Sequence, residues 1–265
     1  MYAFSFHQPE TLEEAKRLFG ESDDPRYLSG GHTLLPSMKL RLAAPSDLIE
    51  LNAIESLKGI SIEGDNVVVG AGTRHGDVAQ SADVLAAIPA LADLAGMIGD
   101  FQVRNRGTLG GSIANADPAA DYPAAIVGLN ATVKTDRREI AADDYFTDLF
   151  ETALEEDEIV TAVSFPTPVR AAYMKFPNPA SRYAIVGVFV AETAGGIRVA
   201  VTGAGASVFR VVEMEAALTV NFAPEAVADI LIPDDDLNSD IHAANDYRAH
   251  LVTVMAKRAV EKALG

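Results

Sequence analysis

The chain contains no cysteine. It can form no disulfide and offers no thiolate to zinc or to an iron–sulfur cluster, so any such cluster must belong to another chain. Long apolar runs are missing as well. The longest, Val84 to Met97, carries Pro89 and Asp93 and is too short to cross a bilayer. The first residues lack a basic stretch followed by an apolar one, which argues against a signal segment and makes a cytoplasmic location the expectation. Positive charge is scarce: 21 Lys and Arg stand against 38 Asp and Glu, a net charge of −17. Such a surface repels nucleic-acid phosphates, although a local phosphate site remains compatible with it. The histidines His7, His32, His75, His242 and His250 show no metal-ligand spacing, so no metal site is expected.

What is present in quantity is core-forming material. With 265 residues, 49% of them hydrophobic, the chain can bury one large or two modest domains. Thr11-x-x-Glu14 is a capping-box pattern, and Leu12, Ala15, Leu18 and Phe19 follow at helical spacing up to Gly20. Arg26 to Leu28 reads as a strand, Leu34 to Leu42 as a helix and Asp47 to Leu51 as a strand, a β-α-β order. Ile60 to Ala71 reads as a hairpin turning at Glu63-Gly64-Asp65-Asn66, with helical stretches between Asp77 and Ile98. Tyr122 to Leu129 looks helical, and Ala131 to Lys134 and Glu158 to Phe165 look like strands. Pro166 and Pro168 mark a break near residue 170. Beyond it, strands are expected at Tyr183 to Glu192 and Ile197 to Thr202. Helices are expected at Val212 to Leu218, Glu225 to Ile230 and Asn245 to Ala263. Asp234-Asp235-Asp236 reads as a solvated acidic loop.

Two glycine-bearing loops stand out: Ser29-Gly30-Gly31-His32-Thr33, and Thr108-Leu109-Gly110-Gly111-Ser112. Glycine lets backbone N–H groups approach an anion closely, and Thr33, Thr108 and Ser112 add hydroxyl donors. Two such loops can grip one diphosphate, which points to a dinucleotide. The adjacent Gly30 and Gly31 do not follow the three-glycine fingerprint of the doubly wound fold, and alone they are equally compatible with a structural turn. The second loop lies in a polar segment, Gln102 to Pro123, that reads as largely irregular. It carries Arg104, Arg106, Asn105, Asn115, Asp117 and Asp121, and so long a polar loop is usually functional. Its aspartates can accept hydrogen bonds from ribityl or ribose hydroxyls, although Asp117 before Pro118 also suits an Asx-turn.

The patterns Gly30-Gly31-His32-Thr33-Leu34-Leu35-Pro36-x-Met38-Lys39 and Gln102-Val103-Arg104-Asn105-x-Gly107-Thr108-Leu109-Gly110-Gly111 resemble the FAD-binding medium subunit of the molybdenum hydroxylases. This is the flavoprotein of carbon monoxide dehydrogenase-type and xanthine dehydrogenase-type enzymes. Asp240-Ile241-His242 and Tyr247-Arg248 resemble its C-terminal domain, so the likeness spans nearly the whole chain. The resemblance implies an α+β fold: two α/β FAD-binding subdomains of PCMH type, about residues 1–55 and 56–170, then a C-terminal flavoprotein domain, 171–265, with an antiparallel sheet and helices. It implies non-covalent FAD, with Gly30, Gly31, His32, Thr33 and Leu34 on one side of the pyrophosphate and Thr108, Gly110, Gly111 and Ser112 on the other. Asn115, Asp117 and Asp121 would serve the nucleotide and ribityl portions. Val160, in Asp157-Glu158-Ile159-Val160, would pack near the isoalloxazine, as would Lys175 and Tyr183. Ser29 stands where alanine is commoner in the family and Thr33 where serine is, both small replacements.

The function so implied is an oxidoreductase subunit that transfers electrons. Molybdopterin would sit in a large partner and [2Fe-2S] clusters in a small one, and the resemblance implies a dimer of heterotrimers. A self-sufficient FAD-dependent oxidase or reductase of related fold is the alternative. It would need a larger substrate domain than the roughly 95 residues of segment 171–265.

Overall fold

The computed structural model describes residues 1–265. Its first part is a small parallel sheet. Strands β1 (Ser5–His7), β2 (Pro25–Leu28) and β3 (Asp47–Glu50) pair in the order β1-β3-β2, connected through α1 (Leu12–Gly20) and α2 (Leu34–Lys39). The Thr11 hydroxyl caps α1 by accepting from the Glu14 amide at 3.1 Å. The Glu14 carboxylate reaches back to the amide of Glu10 at 3.3 Å, one residue before the position a capping box would use. Helix α2 stops short of the expected Leu42 because Arg41 takes a left-handed conformation, φ 62°, which ends the turn. Strand β1 was invisible as a pattern. It is three residues long, largely exposed, and tied to β3 by His7 and Asp47 at 2.7 Å.

The second part is a five-stranded antiparallel sheet with helices packed on it. In chain order come β4 (Ile60–Glu63), β5 (Asn66–Gly70), α3 (His75–Gln80), α4 (Ala82–Ala87), α5 (Pro89–Gly96), α6 (Phe101–Arg104), α7 (Leu109–Asn115), α8 (Tyr122–Gly128), β6 (Thr132–Thr135), β7 (Glu139–Ala141), α9 (Ala142–Tyr145), the short hairpin β8 (Phe146–Asp148) and β9 (Glu151–Thr152), and β10 (Val160–Pro166). The sheet order is β4-β5-β10-β6-β7. Val67 and Val69 of β5 and Val163 and Phe165 of β10 face Leu91, Leu94, Ile113, Tyr122 and Ile126 from the helices. The alternation of the strands and the 3.6-residue period of the helices supply those faces.

The third part is a four-stranded antiparallel sheet, β11 (Arg170–Pro177), β12 (Ala184–Thr193), β13 (Gly196–Thr202) and β14 (Phe209–Arg210), with α10 (Val212–Val220) and the long α11 (Asn245–Leu264). Strand β11 was not anticipated, because both of its faces are occupied and one of them is polar. Ala172 belongs to the C-terminal core with Met174 and Phe176 packed on it, while Tyr173 and Lys175 point the other way, to Asp121. The expected helix at Glu225 to Ile230 is a 3-10 turn, Pro224–Val227. The buried Arg248 guanidinium donates to the carbonyls of Ile185 at 2.7 Å and Gly203 at 2.9 Å and to Asp240 at 2.8 Å, which locks α11 onto β12. No helix is long and apolar enough to cross a membrane.

Candidate functional site

The turn between β2 and α2 is shaped by two glycines. Gly31 has φ +71°, a conformation that strains any residue with a Cβ. At Gly30 a Cβ would come within 2.5 Å of the Arg106 carbonyl oxygen and 2.7 Å of the Gly107 Cα, so the first loop lies directly on the chain that leads into the second. Ser29 and Thr108 join the two through their hydroxyls at 2.8 Å. The amides of Gly30, Gly31, His32 and Thr33 donate to no acceptor in the chain, whereas the carbonyls of Gly31 and Thr33 are used by Leu35 and Ser37. A succession of backbone N–H groups around a left-handed glycine forms a concave anion site.

The second loop differs from its sequence reading. Much of Gln102 to Pro123 is helical, in α6, α7 and the start of α8. Thr108 caps α7, its hydroxyl accepting from the Gly111 amide at 3.2 Å. The Leu109 amide donates to Thr73 O at 3.0 Å, the Gly110 amide to Ala71 O at 2.8 Å and the Ser112 amide to Thr108 O at 3.0 Å. Gly110 and Gly111 therefore have no amide left for a phosphate. Among residues 107–112 only the Thr108 amide lacks an acceptor. Gly110 serves packing instead: a Cβ there would stand 2.5 Å from the Ala71 Cβ, so glycine lets α7 lie flush against the end of β5. A glycine-rich sequence looks the same whether its amides are free or spent.

Together the loops wall a cavity of about 550 Å³, within the ordinary range for ligand clefts. Its lining includes Gly30, Gly31, His32, Thr33, Leu34, Thr108, Gly110, Gly111, Ser112, Asn115, Asp117, Asp121, Val160 and Tyr183. Lys175, the remaining residue singled out from sequence, is not part of it. Its ammonium lies 2.8 Å from Asp121 Oδ2 and 3.3 Å from Met97 O, while the Tyr173 hydroxyl donates to Asp121 Oδ1 at 2.5 Å. Asp121 thus belongs to both the cavity wall and a buried polar cluster. Burial pushes its carboxyl up, against the pull of Lys175 and Tyr173. Asp117 makes the Asx-turn, accepting from the Ala119 amide at 2.9 Å, and burial raises its carboxyl too. Tyr183 stands 44% exposed, and its hydroxyl is pushed up by burial and by Asp117 and Asp121.

Several lining residues had no sequence signal: Leu28, Leu51, Leu57, Ile98, Ile159 and His75. Ile159 packs with the core of the first sheet and Val160 with that of the second, and the ladder of β10 shifts register between Val160 and Ala162. Consecutive side chains can therefore serve different cores and still both border the cavity. No three metal-ligating side chains come together anywhere in the chain. The unpaired amides, the loop contact that a Cβ would fill and the mixed apolar and hydroxyl lining fit a dinucleotide with a diphosphate.

Residues 2–168 match the family described as the FAD binding domain in molybdopterin dehydrogenase. The carbon monoxide dehydrogenase medium chain of Hydrogenophaga pseudoflava is 36% identical, over 98% of this chain and 96% of its own length. The glyceraldehyde dehydrogenase medium chain of Sulfolobus acidocaldarius is 31% identical, over 98% of each. Among solved structures, carbon monoxide dehydrogenase from Hydrogenophaga pseudoflava superposes with a TM-score of 0.88 at 36% identity, covering 98% of this chain and 97% of that one. The chain belongs to the FAD-binding family of the molybdopterin dehydrogenases, as the FAD-binding, oxidoreductase-type subunit.

Proposed function

We propose that this family member holds FAD non-covalently in the cleft between its two glycine loops and passes electrons from iron–sulfur clusters of a small partner subunit to an external acceptor. A large partner subunit with molybdopterin would oxidise the substrate. The observation that carries the reading is the run of unpaired amides from Gly30 to Thr33, facing the Thr108-capped end of α7. The absence of cysteine supports placing the clusters in another chain. A flavin supplies one- and two-electron redox chemistry when bound; the protein's part is to hold it, orient it and shape its surroundings.

In this reading the amides of Gly30, Gly31, His32, Thr33 and Thr108 bind the diphosphate, with the Ser112 hydroxyl beside them. Asn115, Asp117 and Asp121 take sugar or ribityl hydroxyls. Val160 and Ile159 provide apolar contact for the ring, and Tyr183 limits access to it. Lys175 acts through Asp121 and does not touch the ring. The chain would work as units of about residues 1–55, 56–170 and 171–265, in a cytoplasmic dimer of heterotrimers.

The test is purification of the chain with whatever travels with it. The expected result is one acid-releasable FAD per chain, co-purification with one large and one small subunit, and no hydroxylase turnover by the chain alone. A flavin-free chain under flavin-replete expression, or substrate turnover by the chain without molybdenum and iron, would overturn the reading.

A further inference from the structure

His75 is the first residue of α3 and is 4% exposed, yet neither of its ring nitrogens has a hydrogen-bond partner. Nδ1 is fully sealed. Nε2 is not sealed in that way, and it lies against Gly107, where a Cβ would come within 2.5 Å of it. Both His75 and Gly107 line the cavity. The His75 amide donates to the Gly107 carbonyl at 3.0 Å, which fixes the start of α3 beside the second loop. Gly107 in turn is the residue whose Cα a Cβ on Gly30 would meet. Gly107 therefore lies between the imidazole edge on one side and Gly30, where the unpaired amides begin, on the other.

Two considerations fix the state of the ring. Burial, together with His32 and Arg104 nearby, pushes His75 down to about 3, so it is neutral throughout the physiological range. A neutral imidazole carries one proton, and a buried unpaired N–H is rarer and costlier than an unpaired lone pair. The proton therefore belongs on Nε2, with the lone pair on the sealed Nδ1.

We propose that His75 is an additional binding residue, whose Nε2–H donates to an oxygen of the dinucleotide diphosphate held by the amides of Gly30 to Thr33. The inference rests on the FAD reading above and adds to it a side chain outside both glycine motifs. A neutral donor gives the histidine a role in a wall where its charged form is so strongly disfavoured. It also gives Gly107 a purpose, since any side chain there would displace the imidazole.

The first measurement uses the unaltered chain, freed of flavin and labelled with 15N-histidine. The His75 ring is expected as the Nε2–H tautomer, with its Nε2 resonance moving when ADP is added and not when adenosine is added. An Nδ1–H tautomer, or no response to ADP, would overturn the proposal. The second measurement is FAD titration of His75→Phe and His75→Gln, each with its melting temperature recorded. Loss of one hydrogen bond to a charged oxygen should weaken FAD binding by about tenfold or more in His75→Phe. His75→Gln should recover part of that loss. Binding in His75→Phe within about twofold of the original would also overturn it, because a lost bond to a charged group cannot be so small. If the unaltered chain takes up neither FAD nor ADP, the FAD reading itself fails and this inference falls with it.

Discussion

The Lys175 ammonium sits 2.8 Å from Asp121 Oδ2, and the two side chains are 2% and 4% exposed. The pair ties β11 to the residue just ahead of α8, and Asp121 also borders the cavity. Removing one partner leaves the other buried and uncompensated, which costs about 3–5 kcal/mol. Lys175→Met is therefore expected to lower the denaturation midpoint markedly. The double variant Lys175→Met, Asp121→Asn should lose less than the sum of the two single ones. Additive losses in chemical denaturation would show that the pair is not coupled. A ring-side lysine would instead change the flavin potential while leaving the stability of the flavin-free chain alone.

The two glycine motifs should separate in their response to alanine. Gly110→Ala drives a methyl into Ala71 in a fully packed region, an overpacking cost of about 1–3 kcal/mol that a melting curve will register without flavin. Gly30→Ala instead pushes the first loop off Arg106 and Gly107. Its expected effect is a more than tenfold loss of FAD affinity with a smaller change in the melting of the flavin-free chain, since only binding gains from free amides there. Unchanged FAD affinity in Gly30→Ala would move the anion site away from this loop.

Acid stability should carry the mark of Glu158. Its carboxylate accepts from Arg138 Nε at 3.0 Å and from a terminal guanidinium nitrogen at 2.8 Å, from Thr135 at 2.7 Å and from the Glu155 amide at 2.9 Å. The Arg138 bonds foremost hold it down to about 2, from an ordinary value of 4.5. A carboxyl depressed in the folded state stabilises it fully above the unfolded value. That contribution is lost as pH falls from about 4.5 through 2. Glu158→Gln should therefore be less stable at pH 7 and show a flatter loss of stability between pH 5 and pH 3, as read by urea denaturation.

Tyr183 borders the cavity while remaining 44% exposed, which suits a side chain that controls access. Tyr183→Ala is expected to keep bound FAD, because the proposed anion site lies on other elements. Reoxidation of the reduced flavin by oxygen should become several-fold faster, measured by stopped flow at confirmed flavin content. An unchanged rate would show that the ring is shielded by other groups.

Periodicity makes most of the fold legible in the sequence. The Thr11-capped helix, the hairpin at Gly64, the helices between Asp77 and Ile98 and the long C-terminal helix are local patterns that tertiary packing had no reason to override. Strands β1, β7, β8, β9, β11 and β14 escape that reading: β11 carries Tyr173 and Lys175 inward where alternation predicts apolar residues, and the other five are only two or three residues long.

The sequence by itself determined that the chain holds no thiolate ligands, that a β-α-β order opens it, that a hairpin turns at Gly64, and that two glycine-bearing loops stand in it. Composition and short-range spacing carry those facts. Only the tertiary structure decided which donors are free. The amides of Gly30 to Thr33 find no acceptor within the chain, whereas that of Gly110 is spent because α7 meets the end of β5 at Ala71. It also decided that Lys175 faces Asp121 and that His75 borders the cavity, since both depend on contacts between segments tens of residues apart in the chain. Hydrogen-bond satisfaction and burial are properties of the assembled fold, and no local pattern encodes them.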